Sequence, residues 1–377
     1  MALDKAKSKF PEVFIISSGR AGSTLLQSIL NASQQIHVPQ ESDFIARAYP
    51  FFYSKNSYAL ADYAQLAAIF CSTSQSNGWG MSQQHIFQYL KEKQPQTLAA
   101  SFSAICEAYH LEAGTQHLKW GIKRPVLIAS IREIRTVYPQ AKLIHICRDG
   151  RDVYLSYKAV HEKSQVKFGP KGVAANALYW VDGLRRVKQD KQKQSVDEQP
   201  VYEVRYEDLL NNTETTVRQL CDHIGIDFSP GMLENHNAFS KKRKVAPGNL
   251  MKSIHSKIGK GIDSSNSKKY LRQMTRVQIF LYELIAAPYL QAYDYSLEFP
   301  WLNSHLLIPF RWLAYAIGRR INDSRYSKRD RRAFQGSIET SRNLLKRERE
   351  RFFQSEYFSE ASNHLVGDTG IALFRKE

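Results

Sequence analysis

One stretch near the start of the chain has the residue types needed to hold an oxyanion. Ser18-Gly19-Arg20-Ala21-Gly22-Ser23-Thr24 sets two glycines, an arginine and three hydroxyls directly before an amphipathic run in which Leu25, Leu26, Ile29 and Leu30 share one helical face. Glycine lets a backbone approach oxygens closely. The first-turn N–H groups of a helix lack partners within the helix, and the helix dipole favours negative charge there. Ser23 and Thr24 add hydroxyl donors. The stretch is not the Walker A loop, G-x-x-x-x-G-K-[ST], because no Lys precedes Ser23 and the cation is Arg20, inside the loop. Taken alone, it also fits an ordinary glycine turn before a helix. A second feature points the same way. Residues 241–276 hold eleven Lys or Arg against one acid, Asp263, a balance of +10. A solvated charge run is the plain reading of such a stretch, but its density argues for a polyanion nearby: a nucleotide phosphate, an acidic substrate, nucleic acid or a membrane surface.

The elements around the loop must aim it at a ligand. Glu12–Ser17 is a short apolar run and reads as a buried parallel strand, so the loop joins a strand to a helix. The same order recurs at Ala141–Cys147, followed by Arg148-Asp149-Gly150-Arg151-Asp152 and a helix whose apolar face is Val153, Tyr157 and Val160. A third strand is expected at Val201–Arg205, with a helix through Val217, Leu220, Cys221 and Ile224. Strands alternating with helices give a parallel sheet with right-handed crossovers. Ligands of such sheets bind outside the carboxyl ends of the strands, where both loops lie. Residues 42–118 read as a helical insertion that covers the site or binds an acceptor. Within 301–377, His305–Ile321 is apolar with Arg311, Arg319 and Arg320, and Ser327–Phe353 is a charged helix.

The 377 residues suffice for one large α/β domain with an appendage, and 43% hydrophobic residues support a core. Net charge is +17. The four cysteines, Cys71, Cys106, Cys147 and Cys221, show neither a CxxC pair nor metal-ligand spacing. The charged N-terminus has no signal-peptide apolar region, and no stretch reaches the roughly 18 apolar residues of a membrane span. The expectation is a cytoplasmic protein.

The two loops carry a resemblance. Ser18-Gly19-Arg20-Ala21-Gly22-Ser23-Thr24-Leu25-Leu26 resembles the 5′-phosphosulfate loop of sulfotransferases that use 3′-phosphoadenosine 5′-phosphosulfate (PAPS), most closely the R-S-G-T-T-L form of the tyrosylprotein sulfotransferases and related bacterial enzymes. Ala141–Asp152 followed by Ser156 resembles the family's 3′-phosphate motif, strand-R-D-G-R-D-x-x-x-S. The resemblance covers residues 10–295, though not 42–118 in detail, and does not reach 301–377. It implies an α/β, P-loop-like three-layer fold with a central parallel sheet flanked by helices, a sulfotransferase domain at 1–300; the different composition of 301–377 makes that part a basic helical extension. The resemblance also implies that Arg20, Ala21, Gly22, Ser23, Thr24 and Leu25 hold the phosphosulfate, and that Arg148 and Ser156 hold the 3′-phosphate. A guanidinium fork suits a phosphate, although a salt bridge from Arg148 to Asp149 or Asp152 is the alternative. Asn266–Thr275 is similar to the family's late G-R-W-x-x-x-L-[ST] segment, with Lys269 for the Arg and Tyr270 for the Trp, so Lys268 and Lys269 would close over the nucleotide. Tyr206 matches the family's Y-E-D-L strand end, near the nucleotide or simply packed.

The resemblance implies catalytic residues as well. Glu41, 21 residues after Arg20, sits where the tyrosylprotein branch keeps its base, with Gln40 in place of a first acid. Lys123, in Trp120-Gly121-Ile122-Lys123-Arg124-Pro125, resembles the N-K-D-P segment and would neutralise the bridging oxygen beside Arg20. His117 lies off the motif, and His145 reads as a core or backbone-bonded histidine. A glutamate near Arg20 and a lysine has a lowered pKa, which favours orienting the hydroxyl over early proton removal. The family uses no metal. The acceptor is a hydroxyl of open class: peptide tyrosine, carbohydrate, lipid or small molecule. Two other functions compete. One is a nucleotide-dependent kinase or P-loop phosphotransferase; the other is a basic protein that binds nucleic acid or an anionic surface, for which no aromatic-interleaved basic motif is found. The segment 305–321 would either pack on the main domain or lie on a membrane surface as a basic amphipathic helix.

Overall fold

The computed structural model describes residues 11–72, 79–163, 169–193, 198–234 and 266–354. The stretch 241–265, most of the basic run, lies outside the described residues. All four residues of β1 (Val13–Ile16) are buried. They divide by side-chain alternation: Phe14 and Ile16 join one apolar cluster, while Val13 and Ile15 join another across the sheet. A strand covered on both faces needs apolar residues at every position, hence the uninterrupted run.

With β2 (Ile36–His37), β3 (Lys119–Lys123), β4 (Lys142–Cys147) and β5 (Tyr202–Arg205), β1 forms a sheet in the order β2-β3-β1-β4-β5. Every neighbouring pair is parallel. From β1 the chain crosses through α1 (Ser23–Ala32) to β2 at one edge, whereas after β4 it moves to β5 at the other. The direction of winding therefore reverses between β1 and β4. At such a point the connections splay apart and leave a crevice at the strands' carboxyl ends.

Between β2 and β3 lie α2 (Phe44–Phe52), α3 (Leu60–Cys71), α4 (Gln83–Lys93) and α5 (Leu98–Glu112), in line with the helical reading of 42–118. A 3-10 turn (Pro125–Ser130) and α6 (Ile131–Val137) precede β4. It is followed by α7 (Gly150–Lys163) and α8 (Val173–Lys193), and β5 by α9 (Tyr206–Asn211), α10 (Thr213–Ile224), α11 (Tyr270–Gln273) and α12 (Arg276–Ala292). The two segments expected at 305–321 and 327–353 are one helix, α13 (Ile308–Gln354). Nothing from Asn322 to Tyr326 breaks a helix, since that stretch holds neither glycine nor proline. At 47 residues it is about 70 Å long. It folds back across α2, α3 and α8, burying Ala333, Ser337, Ser341 and Leu344 and stacking Phe334 on Phe51. Among the described residues no helix is long and apolar enough to cross a membrane.

Candidate active site

The loop after β1 turns through left-handed backbone at Gly19, Arg20 and Gly22, with φ of 79°, 57° and 97°. Glycine is required at Gly22 for a further reason: a Cβ there would lie 2.4 Å from the Tyr206 ring. Gly22 also caps α1 without a side-chain hydrogen bond, which leaves the first-turn amides of Ser23, Thr24 and Leu25 for a ligand. Arg20 is poised across the switch point, its Nε donating to Ser156 Oγ at 3.0 Å, two turns into α7. Burial, and then the Arg148 cation against the opposing influence of Tyr157, push the Arg20 pKa below its ordinary value.

Arg148 follows β4 and packs its guanidinium 4.6 Å from the centre of the Tyr206 ring. One Nη donates to the Arg20 carbonyl at 3.5 Å and the other to the Asn266 carbonyl at 2.5 Å. The salt bridge to Asp152 is also present, at 3.5 Å. Its buried Nε has no hydrogen-bond partner among the described residues, and an orphaned guanidinium N–H beside a second cation calls for an anion. Asp152 accepts from the Tyr270 amide at 2.9 Å and so fastens the 266–270 segment beside Arg148. In that segment Lys269 bonds Asn266 Oδ1 at 2.6 Å, while Lys268 is exposed with φ 54°. Arg151, of the same motif, is fully buried, paired with Asp149 and Glu283 and stacked on Tyr270. It ties α7 to α12 and does not face the crevice residues.

Glu41 and Lys123 meet because β2 and β3 run side by side. His37 is in register with Trp120, so the fourth residue after one and the third after the other reach the same end of the sheet. Lys123 Nζ donates to Glu41 Oε1 at 2.6 Å and to Thr24 Oγ1 at 3.2 Å. Lys123 is wholly buried, which only its paired charge and hydroxyl make tolerable. Arg124 clasps the other Glu41 oxygen. Burial alone would raise the Glu41 pKa, but Lys123 and Arg124 outweigh it and hold the carboxyl well below the usual carboxylate range. Gln27 donates to the carbonyls of Val38 and Pro39, Asn31 exchanges two hydrogen bonds with Val38, and Trp79 donates to the Gln40 carbonyl. These contacts fix the loop that carries Glu41.

The predicted residues thus assemble in two linked groups, Arg20–Ser156–Arg148–Tyr206 and Thr24–Lys123–Glu41. His117 lies in an exposed turn before β3. His145 is a core histidine, the first of the two readings expected, and its Nδ1 meets the Glu203 carboxylate at 3.2 Å. Sequence reasoning missed the part played by Arg124, which is visible only as a second cation beside Lys123. It also missed Tyr157, which donates to the Ser18 carbonyl and bonds onward to Tyr179 and from there to Tyr326 on α13.

A protein-family model described as "Sulfotransferase family" matches residues 11–230. The omega-hydroxy-beta-dihydromenaquinone-9 sulfotransferase Stf3 of Mycobacterium bovis is 36% identical over 115 residues, 28% of this chain and 29% of that protein. Its counterpart in Mycobacterium tuberculosis matches to the same extent. The chain therefore spans under a third of the length of these curated relatives. Among solved structures, the sulfotransferase domain from the curacin biosynthetic pathway superposes with a TM-score of 0.50 at 17% identity, over 77% of this chain and 99% of that one. The likeness is one of fold. The sulfotransferase domain of the Synechococcus PCC 7002 olefin synthase gives 0.48 at 20% identity, over 76% and 98%.

Proposed function

The chain belongs to the sulfotransferase family, and we propose on that premise that it transfers the sulfuryl group of PAPS to an acceptor hydroxyl. In that reaction the acceptor oxygen bonds to sulfur as the S–O bond to the 5′-phosphate breaks, releasing 3′-phosphoadenosine 5′-phosphate (PAP) and the hydroxyl proton. The observation that carries the proposal is the pairing of Arg20 with Ser156 beside Arg148, whose Nε has no partner among the described residues, where the sheet reverses its winding.

Arg20, Ala21, Gly22, Ser23, Thr24 and Leu25 would hold the phosphosulfate, largely through backbone N–H groups. Arg148 and Ser156 would hold the 3′-phosphate, with Tyr206 stacked behind Arg148 and Lys268 and Lys269 on the adjoining segment. Lys123, bonded to Thr24, would neutralise charge arising at the bridging oxygen. Glu41 is ionised and doubly paired, so its first service is to orient the acceptor hydroxyl, with proton transfer late.

Transfer of labelled sulfate from PAPS to an acceptor pool, unchanged by EDTA and absent with ATP as donor, is the expected result. Phosphate transfer from ATP would instead establish the kinase reading, against which the missing Walker lysine weighs. The relative named for a hydroxylated dihydromenaquinone lends support to an apolar, membrane-held hydroxyl as one acceptor class. A surface feature agrees: Trp301, Leu306, Ile308, Trp312, Leu313 and Ile317 are 49–89% exposed around the start of α13. Such a set suits shallow insertion into a lipid interface.

A further inference from the structure

A cavity of about 670 Å³ opens between α13 on one side and α2, α3 and α4 on the other, within the size range of ligand sites. Among the described residues five cations line it, Arg47, Arg325, Lys328, Arg329 and Arg332, and no acidic residue does. The four on α13 are spaced i, i+3, i+4 and i+7, so one helical face points its charges at the cavity. Two like-charged pairs, Arg325–Arg329 and Lys328–Arg332, stand one turn apart, a spacing that works against a helix.

The counter-charge is scant. Arg325, Lys328 and Arg332 have no carboxylate partner among the described residues. Arg47 and Arg329 reach the same one, Asp43, at 3.0 and 3.9 Å, and Arg124 also uses it, at 3.7 Å. In the wall, Gln83 presents a buried amide Nε2 that lacks a hydrogen-bond partner among the described residues. A concave surface supplied with donors and positive charge, and short of acceptors, is complementary to an oxyanion. Its position gives it meaning. Asp43 pairs with Arg47 and Arg329 of the wall and with Arg124, whose other Nη holds Glu41, so two side chains, Asp43 and Arg124, link the cavity wall to the carboxylate that faces the acceptor.

We propose that this cavity binds a phosphate or sulfate group carried by the acceptor, so that the hydroxyl compound sulfated here is already an oxyanion. The assignment rests on the sulfuryl-transfer reading for its meaning, but not for its test. Full-length protein saturated with PAP, which fills the two phosphate positions of the donor site but not the sulfuryl position, is titrated with inorganic phosphate while its melting temperature is followed, the Lys328 and Arg332 variants separating the cavity from the sulfuryl position. The wild type should gain several degrees, with chloride at equal ionic strength giving none. Lys328→Ala with Arg332→Ala should weaken phosphate binding at least tenfold while leaving PAP binding as it was, and Arg332→Lys should keep most of it. If the double variant does not melt cooperatively, Arg332→Gln takes its place.

Equal stabilisation of wild type and variant by phosphate, or none in the wild type, overturns the proposal. Phosphate binding that the Lys328→Ala, Arg332→Ala variant loses, in a protein that fails to bind PAP, would leave the cavity assignment standing and remove the donor reading; PAP binding without phosphate binding would do the reverse. Competition for phosphate by phosphatidylglycerol vesicles, set against glycerol 3-phosphate, separates a lipid headgroup from a soluble phosphate ester as the source.

Discussion

Lys123 Nζ lies 2.6 Å from Glu41 Oε1 and 3.2 Å from Thr24 Oγ1, so one buried cation joins the helix start that would face the donor to the carboxylate that would face the acceptor. Removing it should affect both. In Lys123→Met, turnover is expected to fall by about 100-fold or more, the cost of losing a preorganised charge. Stability should drop by about 3 kcal/mol, because Glu41 keeps only Arg124. Steady-state kinetics and urea denaturation check the two halves.

Glu41→Gln should lower turnover by at least ~100-fold while leaving PAP affinity within about threefold of wild type. Full turnover in this variant would remove Glu41 from the mechanism. The pH dependence follows from the depressed pKa. A carboxyl whose folded pKa lies below its unfolded value of 4.5 contributes stability that is present above pH 4.5 and lost as pH falls towards the folded value. The stability gap between wild type and Glu41→Gln should therefore be constant from pH 7 to about 5 and narrow below 4.5. A gap that already closes at pH 6 would contradict the double pairing.

Arg148→Ala should weaken PAP binding by roughly 10- to 100-fold, the range for a charged hydrogen-bond donor. Arg148→Lys should recover little of it, since a single ammonium cannot reproduce the fork or the stacking on Tyr206. Ser156→Ala should cost less, roughly five- to tenfold. Calorimetric titration with PAP ranks the three.

Much of this was legible in the sequence, and the limits have physical causes. β1 is apolar throughout and β4 nearly so, interrupted only by Lys142 at its start and His145, because both their faces are covered, and so they could be read directly. β2 has two residues and β3 carries a lysine at each end and a central glycine, so neither shows a run or an alternation. Only three of the five strands were therefore found. The donor loop was readable because its backbone demands glycine. The second cation on Glu41 was not, because Arg124 gains its meaning from the alignment of β2 with β3, a contact between residues some 80 positions apart in the chain. The unity of α13 was missed because its apolar first turns and charged later turns have different compositions, though no breaker lies between them.

Gly22→Ala should destabilise the protein by about 2 kcal/mol and reduce PAP affinity, since the new Cβ is both strained at φ 97° and pressed into the Tyr206 ring. Adding Tyr206→Ala should relieve the contact but not the backbone strain. Chemical denaturation of the single and double variants is then expected to show partial recovery after allowance for the Tyr206→Ala loss.

Trp312→Ser combined with Leu313→Ser should leave the melting temperature within about 2 °C of wild type, because both side chains are exposed, at 68% and 57%. The same pair should abolish co-sedimentation with anionic vesicles if the start of α13 rests on a lipid surface. Vesicle binding that survives the substitution would place the contact elsewhere.

The fold-back of α13 also bears on how the protein is made. One wall of the cationic cavity is residues 47–83 and the other is 325–340, and both strands flanking the donor crevice are synthesised between them or before them. On a ribosome, a growing chain thus completes the crevice at β1 and β4 well before the second wall exists. Until α13 emerges, the apolar surfaces of α2 and α3 that it covers, Phe51 among them, stand open. That interval is when a nascent chain is most exposed to aggregation and to chaperones, and a premature stop in α13 should yield an insoluble product.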